Sequence, residues 1–244
     1  AMPQQQIIAW GSTFNGIQDP LLIRWCDVGN FNTWIGTATN QAGSYRIPKG
    51  SKIIQCIQGP QQGLVWTDLA LWSMQYIGGQ LVYSFNEIGN GCGLIGRRAA
   101  GSVNGVVYWM GKDKFYAYDG RVQTLNCDLR RYVFSDFDQS QSAQVYCGTN
   151  EGFNEVWWFY CSAESTVIDK YVVYNYAEDI WHYGHMGRTA WLDATTIRNP
   201  LAATYDNTIV KHETGLNDNT TGTDNAINAY IVSAEWDPDD GHNY

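Results

Sequence analysis

Apolar and polar positions along this chain fall into short strand-like runs, and one Trp-rich kind of run returns at nearly fixed spacing. Leu22-Ile23-Arg24-Trp25, Leu64-Val65-Trp66-Thr67, Val106-Val107-Tyr108-Trp109 and Val156-Trp157-Trp158-Phe159 read as one structural position. The steps from Ile23 to Val65 and from Val65 to Val107 are 42 residues each, and the step to Val156 is 49. A fixed period of this length is the mark of a repeat architecture, and strands at that period mark propeller blades.

Each run is followed by a turn and a second aromatic strand. Leu71-Trp72-Ser73-Met74-Gln75-Tyr76 follows Thr67-Asp68, and Phe115-Tyr116-Ala117-Tyr118 follows Gly111-Lys112-Asp113-Lys114. Tyr171-Val172-Val173-Tyr174 follows a longer stretch, and Asp119-Gly120 turns into Val122-Gln123-Thr124-Leu125 as a third strand. Runs of β-formers separated by turn-formers are hairpin signatures. A weaker unit, Pro200-Leu201-Ala202-Ala203-Thr204 with Thr208-Ile209-Val210-Lys211, keeps the spacing and brings the count to five. Ile7-Ile8-Ala9-Trp10 and Ala229-Tyr230-Ile231-Val232 are left at the two ends.

These patterns predict an all-β fold: one β-propeller domain over residues 1–244, of about five to six blades, with strands from both termini closing the ring. Segments 128–137 and 143–145 hold at most a turn or two of helix. The stretch near 215–225, crowded with Asn, Asp, Thr and Gly, is expected to be a mobile loop. The acidic end after Asp237 reads as the cut edge of a longer protein.

Composition sharpens this picture. The 244 residues are 44% hydrophobic and 14% aromatic, with 11 Trp and 16 Tyr, which suits packed sheet faces. The formal net charge of -9 argues against an outer surface that grips nucleic acid, yet it fits a conduit whose acidic wall repels phosphate. Six dispersed cysteines without a C-x-x-C pair read as buried free thiols, favouring cytosolic synthesis. No apolar run reaches the roughly 20 residues of a membrane span, and the start lacks the basic and apolar parts of a signal peptide.

Candidate chemistry is sparse. Asp27-Val28-Gly29 with Thr33-Trp34 faintly matches a structural turn in which the carboxylate accepts backbone N–H groups. His182 and His185 stand three apart, but their aromatic, Gly-broken context predicts a strand on which the rings do not converge. Asp237, Asp239 and Asp240 lack the full spacing of a calcium loop. Asp68, Glu87, Asp113, Asp119, Glu155 and Asp193 are scattered carboxylates, and turn geometry accounts for Asp68 and Asp113. No nucleophile elbow, phosphate loop, dinucleotide fingerprint or zinc spacing is present. No enzyme, metal or cofactor is expected. Two basic doublets, Arg97-Arg98 and Arg130-Arg131, stand out in an acidic chain as contacts for a partner or DNA on one rim. The plainer alternative is that these arginines bond carboxylates of neighbouring blades.

An ordered set of segments then carries a resemblance. Leu22-Ile23-Arg24-Trp25 with Asn32-Thr33-Trp34, Ala42-Gly43-Ser44-Tyr45-Arg46-Ile47 and Leu64-Val65-Trp66-Thr67-Asp68 come first. Val107-Tyr108-Trp109-Met110-Gly111, Phe115-Tyr116-Ala117-Tyr118-Asp119-Gly120-Arg121 and His212-Glu213-Thr214-Gly215 follow. From about Trp10 to Gly215 the chain resembles structural proteins of short-tailed bacteriophages, which include tail nozzle and packaged-DNA stabilisation proteins. The resemblance implies a virion tail component made in the bacterial cytoplasm, built on a propeller and assembled as a homo-oligomeric ring, commonly a hexamer. Its implied partners are tail and adaptor proteins and, transiently, genomic DNA in the lumen. The alternative expectation is a carbohydrate-binding or glycan-cleaving propeller of a receptor-binding tail protein, with exposed rather than core aromatics.

Overall fold

A computed structural model describes residues 2, 4–59, 62–194, 196–218, 223 and 225–227. The strand expected over 229–232 and the acids at 237, 239 and 240 lie outside the described residues. The first sheet, in the order β1-β4-β5, comprises β1 (Ile8–Trp10), β4 (Leu22–Trp25) and β5 (Gly43–Arg46), with a small hairpin of β2 (Thr13–Phe14) and β3 (Ile17–Gln18) inserted. The second contains β6 (Ile53–Gln58), β7 (Gly63–Thr67), β8 (Ala70–Gly78) and β9 (Val82–Asn90). The third contains β10 (Ala100–Val103), β11 (Val106–Met110), β12 (Phe115–Tyr118) and β13 (Val122–Thr124). After helix α1 (Arg130–Asp136) and a 3₁₀ turn at Gln139–Gln144 comes the fourth, of β14 (Tyr146–Asn150), β15 (Glu155–Tyr160), β16 (Lys170–Asn175) and β17 (Ile180–His185). The fifth contains β18 (Ala190–Leu192), β19 (Leu201–Ala203) and β20 (Ile209–Lys211). Last is a two-residue pairing of β21 (Asn217–Asp218) with β22 (Asn225–Ala226), within the stretch expected to be a mobile loop.

Consecutive antiparallel meanders stacked side by side make a β-propeller. The continuous apolar runs of the sequence are the reason, because an interior blade is buried on both faces and each strand alternates between two neighbours. Leu64 and Trp66 face the third sheet, whereas Val65 between them joins Ile23 and Trp25 of the first. Trp158 and Tyr160 face the third sheet, while Trp157 and Phe159 meet Trp191 and Ala202 of the fifth. Three contiguous clusters thus bond five blades in series. The innermost strands lie against one another, β10 against β14 and β14 against β18, and Arg98 pairs in parallel with Tyr146.

One element differs from the sequence expectation. The N–H of Ile53, at the start of β6, donates to the carbonyl of Pro20, just before β4. β4 therefore starts from the same rim as β6 and runs opposite to β7, β11 and β15. Leu22–Trp25 is not the equivalent of the other three Trp runs; β1, β4 and β5 run as the second, third and fourth strands of their blade, so the first 42-residue step is not a repeat step. Among the described residues no strand fills the innermost place beside β1.

The six cysteines are free thiols, as expected, with Cys26, Cys92, Cys147 and Cys161 buried. No helix among the described residues is long and apolar enough to cross a membrane.

Candidate functional site

Both arginine doublets occupy crossovers that carry the chain from the outer strand of one blade to the inner strand of the next. Residues 91–99 link β9 to β10, and residues 125–145 link β13 to β14. Meander topology puts all such crossovers on one rim, together with the turns between second and third strands. The two crossovers also touch. A Cβ on Gly96 would clash with the carbonyl oxygen of Ser142, and the N–H of Cys147 donates to the Arg98 carbonyl at 2.6 Å.

All four arginine residues are exposed. The Arg98 guanidinium lies 5.6 Å from the centre of the Tyr146 ring, a cation–π contact. Among the described residues none of Arg97, Arg98, Arg130 and Arg131 forms an ion pair with a carboxylate, so the bonding of neighbouring blades weighed for them is not what the structure places there. Arg130 and Arg131 begin α1, and the turn joining β11 to β12 adds Lys112 and Lys114 to the same rim. The Lys112 carbonyl accepts from the Gln139 side chain at 3.4 Å, tying that turn to the second crossover. The sequence did not single out these lysines, because their turn reads as ordinary hairpin chemistry.

The opposite rim, made of turns between first and second strands and between third and fourth, is acidic. It carries Asp119, Glu151, Glu178, Asp179 and Asp193. Asp193 accepts the Glu151 N–H at 3.1 Å, and Asp119 accepts from Gln123 at 2.7 Å. Hydrogen bonds from Gln123 and then the Arg121 N–H hold the Asp119 carboxyl below its usual range. On this side Asn150 reaches both Glu155 and Glu213 at 3.4 Å, and His182 stands 3.5 Å from Glu155. Partial burial, then the neighbouring Glu155, pushes Glu213 up. Sequence reading missed this carboxylate pair because its members are far apart along the chain.

The remaining candidates separate. Glu87 pairs with Lys49 at 2.6 Å. Burial alone would raise Asp68, but the Ser51 N–H and hydroxyl, both at 2.7 Å, outweigh it and hold the carboxyl down. Asp27 accepts the N–H groups of Val28 and Gln41, the structural role expected of that turn, whereas Trp34 lies half-buried under Arg24 rather than between sheets. His182 and His185 lie in β17 at odd separation and so project to opposite faces. Among the described residues no group of three or more His, Cys, Asp or Glu side chains is placed to hold a metal ion.

No protein-family model and no curated protein matches this chain. Among solved structures it is similar to Hsv2 of Kluyvelomyces marxianus, with 8% identity and a TM-score of 0.45, over 79% of this chain and 56% of that one. The chain thus spans just over half the length of that protein. It is also similar to a chain of the S. cerevisiae Dbp5 assembly with Nup159 and Gle1, with 9% identity and a TM-score of 0.32, over 87% of this chain and 72% of that one.

Proposed function

We infer that this chain is the propeller of a non-enzymatic phage tail part, a nozzle or plug ring that closes the DNA exit channel and serves as a conduit for the genome. The observation that carries the reading is the grouping of Arg97, Arg98, Arg130 and Arg131 on the crossover rim, all four exposed and none of them ion-paired among the described residues. The ordered segments that resemble short-tailed phage proteins support it further.

In this reading the arginine rim docks on acidic surfaces of tail or adaptor proteins, since guanidinium groups suit bidentate carboxylate contacts. The acidic balance of the chain repels phosphate, so duplex DNA slides past the wall without adhering. Copies assemble as a closed ring, a hexamer by the family resemblance, in the virion tail.

The test is a docking assay with phage heads that lack tails. The purified chain is expected to be retained on the heads, and the Arg97→Glu/Arg130→Glu double variant is expected to be lost while its melting temperature is unchanged. Retention of both proteins alike, or tight salt-sensitive binding of duplex DNA by the chain, would overturn the reading.

A further inference from the structure

At the outer edge of the seam between the first two blades, the turn joining β8 to β9 stands against β5 and encloses a recess of about 340 Å³. Trp25, Tyr45, Tyr83 and Phe85 line it, with Gly43 and Leu81 beside them, and among the described residues none that lines it carries a formal charge. Tyr45 stacks on Phe85 with ring centres 4.3 Å apart and planes 4° inclined, and Trp25 meets Tyr83 edge-on at 5.1 Å. The polar ends of the two buried rings are already occupied: Trp25 Nε1 donates to the Gln41 carbonyl at 2.9 Å, and the Tyr83 hydroxyl donates to the Gln6 side chain at 2.6 Å. The rings therefore offer the recess apolar surface. Tyr45 and Phe85 are half-buried members of the apolar seam that Trp25 and Tyr83 anchor, so a side chain entering the recess extends an interface that already exists. A Cβ at Gly43 would press on the Trp25 ring, and only glycine lets β5 run this close to it.

Beside the recess β5 presents an unpaired edge. It is the outermost strand of its blade and, among the described residues, pairs with β4 alone. The N–H of Ile47 donates to the Leu21 carbonyl, and bonded pairs alternate along an antiparallel ladder, so Tyr45 and Gly43 direct their backbone groups to Ile23 and Trp25. The N–H and C=O groups of Ser44 and Arg46 point the other way, out of the sheet. A free edge is a template for a further strand, and pockets beside it select the incoming side chains. The turn that closes the recess is strained: Val82, a β-branched residue, holds φ at 60°, in the left-handed region. Val82 is buried, whereas its neighbour Leu81 is 73% exposed where it lines the recess. Backbone strain of this kind clusters at binding sites, and here it holds a large apolar side chain in water beside an apolar hollow.

We propose that β5 and this recess together bind an extended segment of a partner protein, which adds to the sheet as a strand beside Ser44 and Arg46 and sets one bulky, uncharged apolar side chain among Trp25, Tyr45, Phe85 and Leu81. The uncharged lining selects against a charged anchor, which would lose its water there without gaining a counter-ion. The site lies on the rim opposite the arginine doublets, because the β4–β5 and β8–β9 turns join third strands to fourth, so it serves a contact distinct from the one proposed for those arginines.

The experiment is a fluorescence-anisotropy titration of the full chain with short labelled peptides of Thr and Ser that carry Phe, Ala or Asp at the centre. The Phe peptide is expected to bind about tenfold more tightly than the Ala peptide, and the Asp peptide to bind more weakly than either. Ser44→Pro removes an outward N–H while leaving the ladder to β4, and Leu81→Ser trims an exposed side chain; each is expected to weaken the Phe peptide about tenfold at unchanged melting temperature. Methylating the backbone nitrogens of the Phe peptide is expected to abolish its binding to the native chain, which tests the strand pairing without relying on the folding of Ser44→Pro. No binding of the Phe peptide, equal affinity for all three peptides, undiminished binding of the methylated peptide, or native affinity in both variants would overturn the proposal. So would concentration-dependent dimerisation that Leu81→Ser abolishes, because a second copy would then be the occupant.

Discussion

Trp66 meets Trp109 edge-on, with ring centres 5.5 Å apart and planes 69° inclined, at the seam between the second and third blades. Both rings are fully buried, yet their indole N–H groups differ. Trp109 donates to the Cys92 carbonyl at 2.9 Å, whereas Trp66 has no partner. Trp109→Phe therefore leaves a buried carbonyl without its donor, while Trp66→Phe removes a donor that had none. The first is predicted to cost more in urea unfolding, by roughly 1–3 kcal/mol. Equal losses would show that ring volume alone decides the seam.

Gly96 sits where the two arginine crossovers touch. A methyl group there would press on the Ser142 carbonyl, which is backbone and cannot swing aside. Gly96→Ala is predicted to destabilise by about 1–3 kcal/mol and to loosen the crossover carrying Arg97 and Arg98. Hydrogen exchange should show the Cys147 amide, which the Arg98 carbonyl protects, exchanging faster; unchanged protection would contradict the contact.

His212 accepts a hydrogen bond from Arg188 at 3.0 Å. Burial first, and then the Arg188 charge, hold its pKa down to about 4, against 6.5 for an ordinary imidazole. The unfolded chain then takes up the proton first. Stability is predicted to hold above pH 6.5 and to fall as pH drops from there towards 4, and His212→Gln should flatten this part of the curve. A variant with the same slope as the native chain would refute the assignment.

Glu213 has the opposite sign. Its raised pKa means that stability is present below about pH 4.5, the ordinary value, and is lost as pH rises through the folded value. Glu213→Gln is predicted to melt higher than the native chain at neutral pH, with the advantage vanishing below pH 4.5. Thermal melts of both proteins across that range read the crossing directly, and parallel curves would count against a carboxyl raised by burial and by the neighbouring Glu155.

The second strands of the middle blades were legible because they are buried on both faces and so are continuously apolar, as in Val156-Trp157-Trp158-Phe159. The first strands were not. β10 and β14 crowd near the axis and carry small residues such as Ala100, Gly101, Ser102, Cys147 and Gly148, the last because a Cβ there would lie 2.7 Å from the Trp191 ring. Such strands carry little β-propensity and escape a search for aromatic runs. Leu22–Trp25 misled for a related reason: a third strand buried on one face carries the same apolar letters as a second strand, and only its direction separates them. The Arg doublets were visible as sequence, but their shared rim follows from crossover topology.

Electron microscopy of the purified protein tests the central claim most directly. The account predicts closed rings around a central opening, with the rim bearing Arg97, Arg98, Arg130 and Arg131 turned towards the phage head when the rings are bound to it. Particles that remain single propellers at every concentration, or rings that meet the head by the Asp119 and Asp179 rim, would contradict it.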